Sequence, residues 1–172
     1  VGSEMCIRDS IIGGEALVRW QNDKEMIYPD QFIPVLEKNG YVIDVDNFIW
    51  NKVCACIKMM EDKGIEPVPI SVNVSRMHVY QEKFTENLKN MAGEYGIDPK
   101  YIPLEITESA FTKEEGSLFK KVQSLQGYGF KFSMDDFGSG YSSLGMLKSE
   151  RVDEVKIDKT FVDDIATDKG KV

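Results

Sequence analysis

The chain has 172 residues, 42% hydrophobic and 29% charged, which is enough for one domain with a packed core. Its net charge of −8 argues against a nucleic-acid polymer as partner, although bound cations could still recruit a small anion. No apolar stretch reaches the ~20 residues a membrane helix needs, so any membrane tether would lie outside this chain.

Taken in chain order, residues 1–10 look foreign. Met5-Cys6-Ile7-Arg8-Asp9-Ser10 resembles a translated sequencing adapter, and such a leader is left out of fold reasoning. That reading leaves residues 11–172 as one partial domain, truncated at both ends. Gly14–Trp20 reads as a strand with Glu15 near its start. Pro29 and Asp30 open a short helix closed by Gly40. Asp44 is placed to cap the next helix, whose apolar residues from Phe48 to Met60 recur at three and four residue spacing. Pro69–Val74 is a buried-type strand, followed by a helix over Phe84–Tyr95 that ends at Gly96. Ile102–Thr107 is the next strand, and a helix over Lys113–Leu125 follows. Phe130–Met134 is a strand running into Asp135-Asp136. Val152–Ile157 is the last strand, and Lys159 begins a helix. The β-α alternation predicts an α/β fold with a parallel sheet or barrel.

Glu15, Asn73, Glu105, the pair Asp135-Asp136, and Lys156 all sit at or near the ends of these strands. Successive parallel strands that deliver oxygen ligands to one mouth can gather hard cations. Adjacent carboxylates at an irregular strand end can point into one site, and one of them can bridge two ions. The all-oxygen set suits Mg2+ or Mn2+ better than zinc. Lys156 would add a fixed positive charge that orients water or stabilises a phosphoryl group. Singly, each residue has an ordinary explanation: a helix cap, a backbone-bonding asparagine or a surface lysine. The set is more telling than its members. Cys54 and Cys56, two apart in a helical pattern, predict reduced thiols in the cytoplasm rather than a disulfide framework. His78, the only histidine, is expected at the surface or at a helix start. The glycine-rich loop from Phe137 to Leu144 is not a phosphate-binding Walker loop, since no GK[ST] follows. Its place suggests that it adjusts the metal site.

Six separated segments resemble the EAL domain family, the bacterial phosphodiesterases that linearise cyclic di-GMP. They are Glu15-Ala16-Leu17-Val18-Arg19-Trp20, Phe32-Ile33-Pro34, Ser71-Val72-Asn73-Val74-Ser75, Leu104-Glu105-Ile106-Thr107-Glu108-Ser109, Asp135-Asp136-Phe137-Gly138-Ser139-Gly140-Tyr141-Ser142-Ser143 and Lys156-Ile157-Asp158. The resemblance implies a TIM-type (β/α)8 barrel, here truncated to about five βα units, whose first strand would run antiparallel. It implies Glu15, Asn73, Glu105, Asp135 and Asp136 as ligands of two Mg2+ or Mn2+ ions, and Lys156 beside the attacking water. It implies that Glu108 holds the loop after the aspartates. It places Arg19 on a substrate phosphate and Asp158 at the substrate site. The expected product is linear pGpG. A homodimer is implied through the loop after Asp136 and the neighbouring helix, with sensory or diguanylate cyclase domains fused outside this chain. The family's first strand would precede Ile11, and its last two would follow Val172. A closed barrel needs about 250 residues, so the parent protein is expected to be an enzyme and the bare fragment inactive. The competing readings are a catalytically silent receptor for cyclic di-GMP, another metal-dependent barrel enzyme, and a dimerisation module.

Overall fold

The computed structural model describes residues 11–23, 25–107, 110, 115–138 and 152–159. Five strands form one sheet: β1 (Gly14–Ala16), β4 (Ile70–Asn73), β5 (Leu104–Thr107), β6 (Phe132–Phe137) and β7 (Glu154–Ile157). All four pairings are parallel, and the strands lie side by side in chain order. An order that never reverses winds one way. That gives the arc of a barrel rather than a doubly wound sheet. The fold is therefore a half-barrel with helices. The antiparallel strand expected ahead of Ile11 lies outside the described residues.

Side-chain alternation divides the arc into two faces. Val72, Val74, Leu104, Ile106, Phe132 and Met134 point to the core, where they pack with residues of three helices. Those helices are α2 (Val42–Asp62), α4 (Phe84–Tyr95) and α5 (Glu115–Gln126). Ser71, Asn73, Glu105, Thr107, Ser133 and Asp135 alternate with them and occupy the concave face, paired across strands as Asn73 with Glu105, Glu105 with Ser133 and Thr107 with Asp135. Strand pleating thus delivers these polar residues to one side.

The helices start and stop for local reasons. In α1 (Pro29–Asn39), Pro29 sits in the first turn, where its missing N–H costs nothing. Gly40, at φ 80°, closes that helix in the left-handed region, and Gly96 closes α4 at φ 65°. Asp44 does not cap α2. Tyr41 holds the cap position and Asp44 lies inside the first turn, where its carboxylate still favours the helix N-terminus. The strand expected over Gly14–Trp20 stops at Ala16, because only Gly14, Glu15 and Ala16 have partners in β4. Beyond it a small antiparallel hairpin forms from β2 (Trp20–Gln21) and β3 (Met26–Ile27), with Trp20 edge-on to Phe32 of α1. The chain beyond Gly138, with the rest of the glycine-rich loop, lies outside the described residues up to Val152; beyond Lys159 the last expected helix does too.

At the other end of β6, Asp153 accepts from Lys131 Nζ at 2.7 Å, from the Phe132 amide at 3.0 Å and from Gln126 Nε2 at 3.3 Å. Burial works to raise its pKa, but these donors outweigh it and hold the carboxyl below its ordinary value. A lowered folded-state pKa stabilises the fold above the unfolded value, and that stability fades as pH falls through the folded one. Asp153→Asn should therefore lower stability by about 1 kcal/mol at pH 7, most of it through the Phe132 amide and the exposed lysine pair. The gap between variant and parent in thermal melts should close below about pH 4.

Candidate functional site

The concave face gathers its charge at one place. Lys156 on β7 points inward from a half-buried position, and its Nζ lies between two carboxylates. Glu105 Oε1 accepts a hydrogen bond from it, and Glu15 Oε2 stands 3.4 Å away. Asn73 Nδ2 donates to Glu15 Oε1 at 3.2 Å. Four residues from four strands are thus joined edge to edge. Glu105 is 1% exposed, and its second oxygen, Oε2, is buried without a hydrogen-bond partner. A buried carboxylate oxygen in that state calls for a positively charged or donating group.

Burial raises the Glu105 pKa and the Glu15 charge adds to this, while the bond from Lys156 and the nearby Ser71 hydroxyl pull it back; the result lies above the ordinary value. Burial alone would lower the Lys156 pKa. Its contacts with Glu105, Glu15 and Asp135 outweigh that and hold the ammonium protonated.

The aspartate pair comes from an irregularity in β6. The register against β7 shifts between Met134 and Phe137, and Asp136 adopts φ 55°, a left-handed conformation uncommon for a residue other than glycine. The bulge breaks the alternation that would send neighbouring side chains to opposite faces. Asp136 has its pKa raised by burial, then by the charges of Asp135 and Asp158. Those two carboxylates therefore lie near enough to repel it. Asp158 is anchored by its amide, which donates to Phe137 O at 3.0 Å. Strained backbone amid clustered like charge is a frequent mark of a functional site.

Arg19 is exposed at the foot of the hairpin, bonded to Val18 O at 2.7 Å and set over the Tyr28 ring at 5.8 Å. Glu108 lies outside the described residues. Among the described residues, no three acidic, histidine or cysteine side chains converge on one point. Glu15 and Glu105 instead flank Lys156, and the Asn73 amide is bonded to Glu15. The donor chemistry still suits a hard cation, since every candidate ligand offers oxygen and Glu105 Oε2 lacks a partner. A cavity of about 550 Å3 runs from Glu15, Glu105 and Lys156 toward the starts of the strands, where Pro69, Pro103 and Lys131 line it.

His78 is not at the surface. It is the third residue of the short helix α3 (Arg76–Val79), which Ser75 caps, and it is 1% exposed and bonded to Asp46. The placement of Ser71 and Ser133 on the concave face went unread in the sequence, though the polar alternation of those strands carried the signal.

A parallel half-barrel with carboxylates, an asparagine and a lysine on its concave face defines a barrel-type α/β domain with an acidic centre built around one lysine. The EAL domain family model matches residues 4–172, and the chain belongs to that family. It is 31% identical over 159 residues to the bifunctional diguanylate cyclase/cyclic di-GMP phosphodiesterase MucR of Pseudomonas aeruginosa, and 33% identical over 160 residues to the oxygen sensor protein DosP of Escherichia coli. Each match covers 92% of this chain but only 23% and 20% of those proteins. The solved MucR phosphodiesterase in complex with c-di-GMP superposes with a TM-score of 0.85 at 31% identity, over 92% of this chain and 65% of that one. Among the described residues, no helix is long and apolar enough to cross a membrane.

Proposed function

We propose that this chain is the catalytic part of a phosphodiesterase that opens one phosphodiester of cyclic di-GMP to give linear pGpG. The observation that carries the reading is Lys156, held protonated between Glu15 and Glu105 beside Asn73 on the concave face of an EAL domain. Glu15, Asn73, Glu105, Asp135 and Asp136 would hold two Mg2+ or Mn2+ ions. Such ions, when bound, lower the pKa of water and neutralise phosphoryl charge.

The chain's own groups supply the rest. Lys156 places a permanent positive charge where negative charge builds on the phosphoryl oxygens, without needing to reorganise. Glu105 fixes the Lys156 ammonium in place, and Glu15 ties the ammonium to the Asn73 amide. Arg19, forked and always charged, is suited to the second phosphate of a cyclic dinucleotide. Asp158 would meet the ligand from the β7 side, and Glu108 would support the loop after the aspartates. Dimerisation through that loop and the neighbouring helix, fusion to sensory or cyclase domains, and a cytoplasmic setting belong to the same proposal.

The test is to incubate the protein that carries this chain with cyclic di-GMP and Mg2+ or Mn2+, then identify the recovered nucleotide. Linear pGpG that disappears in Glu15→Ala supports the reading. Cyclic di-GMP held by the protein but returned intact assigns it to the receptor class.

A further inference from the structure

Helix α2 meets the end of β4 through polar contacts that no packing argument requires. Trp50, 1% exposed, donates from Nε1 to the backbone carbonyl of Asn73 at 3.1 Å. One helical turn earlier, on the same face, Asp46 Oδ2 accepts from the Ser75 amide at 3.0 Å. Two side chains of one helix thus hold the backbone on both sides of Val74. His78 closes the group. Its Nδ1 lies 3.2 Å from the same Asp46 oxygen, and its ring stacks on Trp50 at 4.3 Å with 17° between planes. The Ser75 hydroxyl accepts from the His78 amide at 3.3 Å, which ties the histidine back to the strand end. Asp46, Trp50 and His78 are all buried.

We infer that Asp46, Trp50 and His78 form a clamp that sets the direction of the Asn73 side chain, making them positioning residues for the site. The inference rests on the proposed role of Asn73 as an oxygen ligand. The sheet holds one edge of the Asn73–Val74 peptide, since the Val74 amide donates to Glu105 O at 2.9 Å. The grip on Asn73 O and Ser75 N holds the other edge and the next peptide, and a tilt there would carry the Asn73 amide away from Glu15. Groups that orient a ligand in this way commonly alter metal affinity by about tenfold or more when removed. Neither Asp46 nor His78 touches Glu15, Glu105 or Lys156 in any contact described above, so the effect would reach the site through Asn73.

The test uses the protein that carries this chain, read by Mn2+ binding in electron paramagnetic resonance, by kcat and KM, and by thermal melting. Trp50→Phe keeps the stacked ring but removes the donor. His78→Leu removes the bond to Asp46, and His78→Gln restores a donor there. Asn73→Ala sets the size of the full effect. The clamp predicts Mn2+ binding weakened about tenfold in Trp50→Phe and His78→Leu, with a cooperative melt retained and affinity recovered in His78→Gln. Parent-like Mn2+ binding in both variants, while Asn73→Ala loses it, would overturn the clamp and leave the proposed function standing. Parent-like binding in Asn73→Ala would remove the ligand role and the clamp together. Loss of binding that merely tracks a collapsed melt in both variants would assign the cluster to the core and overturn the inference.

Discussion

Replacing Lys156 with methionine should abolish nearly all turnover and destabilise the fold at neutral pH. The side chain keeps its length and apolar stem, so packing changes little, while the charge is lost. Turnover should fall by about a hundred- to a thousand-fold, the usual cost of one fixed electrostatic stabiliser. The stability effect has a separate origin. Glu105 is almost fully buried, and Lys156 is the cation bonded to it. Without the ammonium an uncompensated carboxylate remains inside, at a cost of about 3 kcal/mol. The Glu105 pKa, already raised, would rise further. A carboxyl whose folded-state pKa exceeds its unfolded value supports the fold while protonated, and that support is lost as pH climbs through the folded value. The deficit of Lys156→Met should therefore be small in acid and grow toward neutrality. Melting curves across that range, without added metal, measure it. A deficit that does not change with pH would show that Glu105 is not the group left stranded.

Glu105→Gln should uncouple activity from stability. Glutamine keeps an oxygen that can accept from Lys156 but removes the buried charge. Turnover should fall by about a thousand-fold if Glu105 is a ligand, since a neutral amide is a far weaker partner for a hard cation. Stability should move the other way. The parent's buried Glu105 penalises the folded state increasingly as pH rises, because its folded pKa is raised by burial. The variant carries no such penalty. Without metal it should melt level with the parent near pH 4 and above it at pH 7. Excess Mg2+ should reverse that order, because a ligand bound only by the folded parent stabilises the parent alone. Many proteins hold such costly groups at functional sites, where stability is traded for chemistry. A variant that melts below the parent at neutral pH without metal would mean that the Lys156 contact outweighs the burial cost.

Much of this was legible in the sequence because it is local. The α4 bounds follow from Phe84 opening an apolar periodicity that Gly96 ends. The site residues Glu15, Asn73, Glu105 and Lys156 sit on strands of alternating pattern, and pleating brings them to one face without long-range information. What the sequence hid depends on distant partners. Nothing near Trp20 shows that the chain leaves the sheet after Ala16, because strand length there is set by β4, more than fifty residues on in the chain. Asp46 and His78 are 32 apart in sequence, and neither carries a local mark of burial. His78 looks like an exposed helix-start residue until α2 is laid against β4. The left-handed Asp136 was likewise invisible, although an irregular strand end was expected from two adjacent aspartates. Its φ is fixed by a register shift against β7, not by its own preference.

Hydrolysis at this site means that water opens one phosphodiester of cyclic di-GMP. A single turnover in 18O-labelled water, with the protein that carries this chain and Mg2+ or Mn2+, reports the bond made and the bond broken. Water oxygen should join phosphorus as the P–O3′ bond breaks, with the proton passing to the released 3′ oxygen. The expected product is linear pGpG with one 18O in its 5′-phosphate, and neither product nor label with Glu15→Ala. Cyclic di-GMP recovered intact, or a linear product without the label, would contradict it.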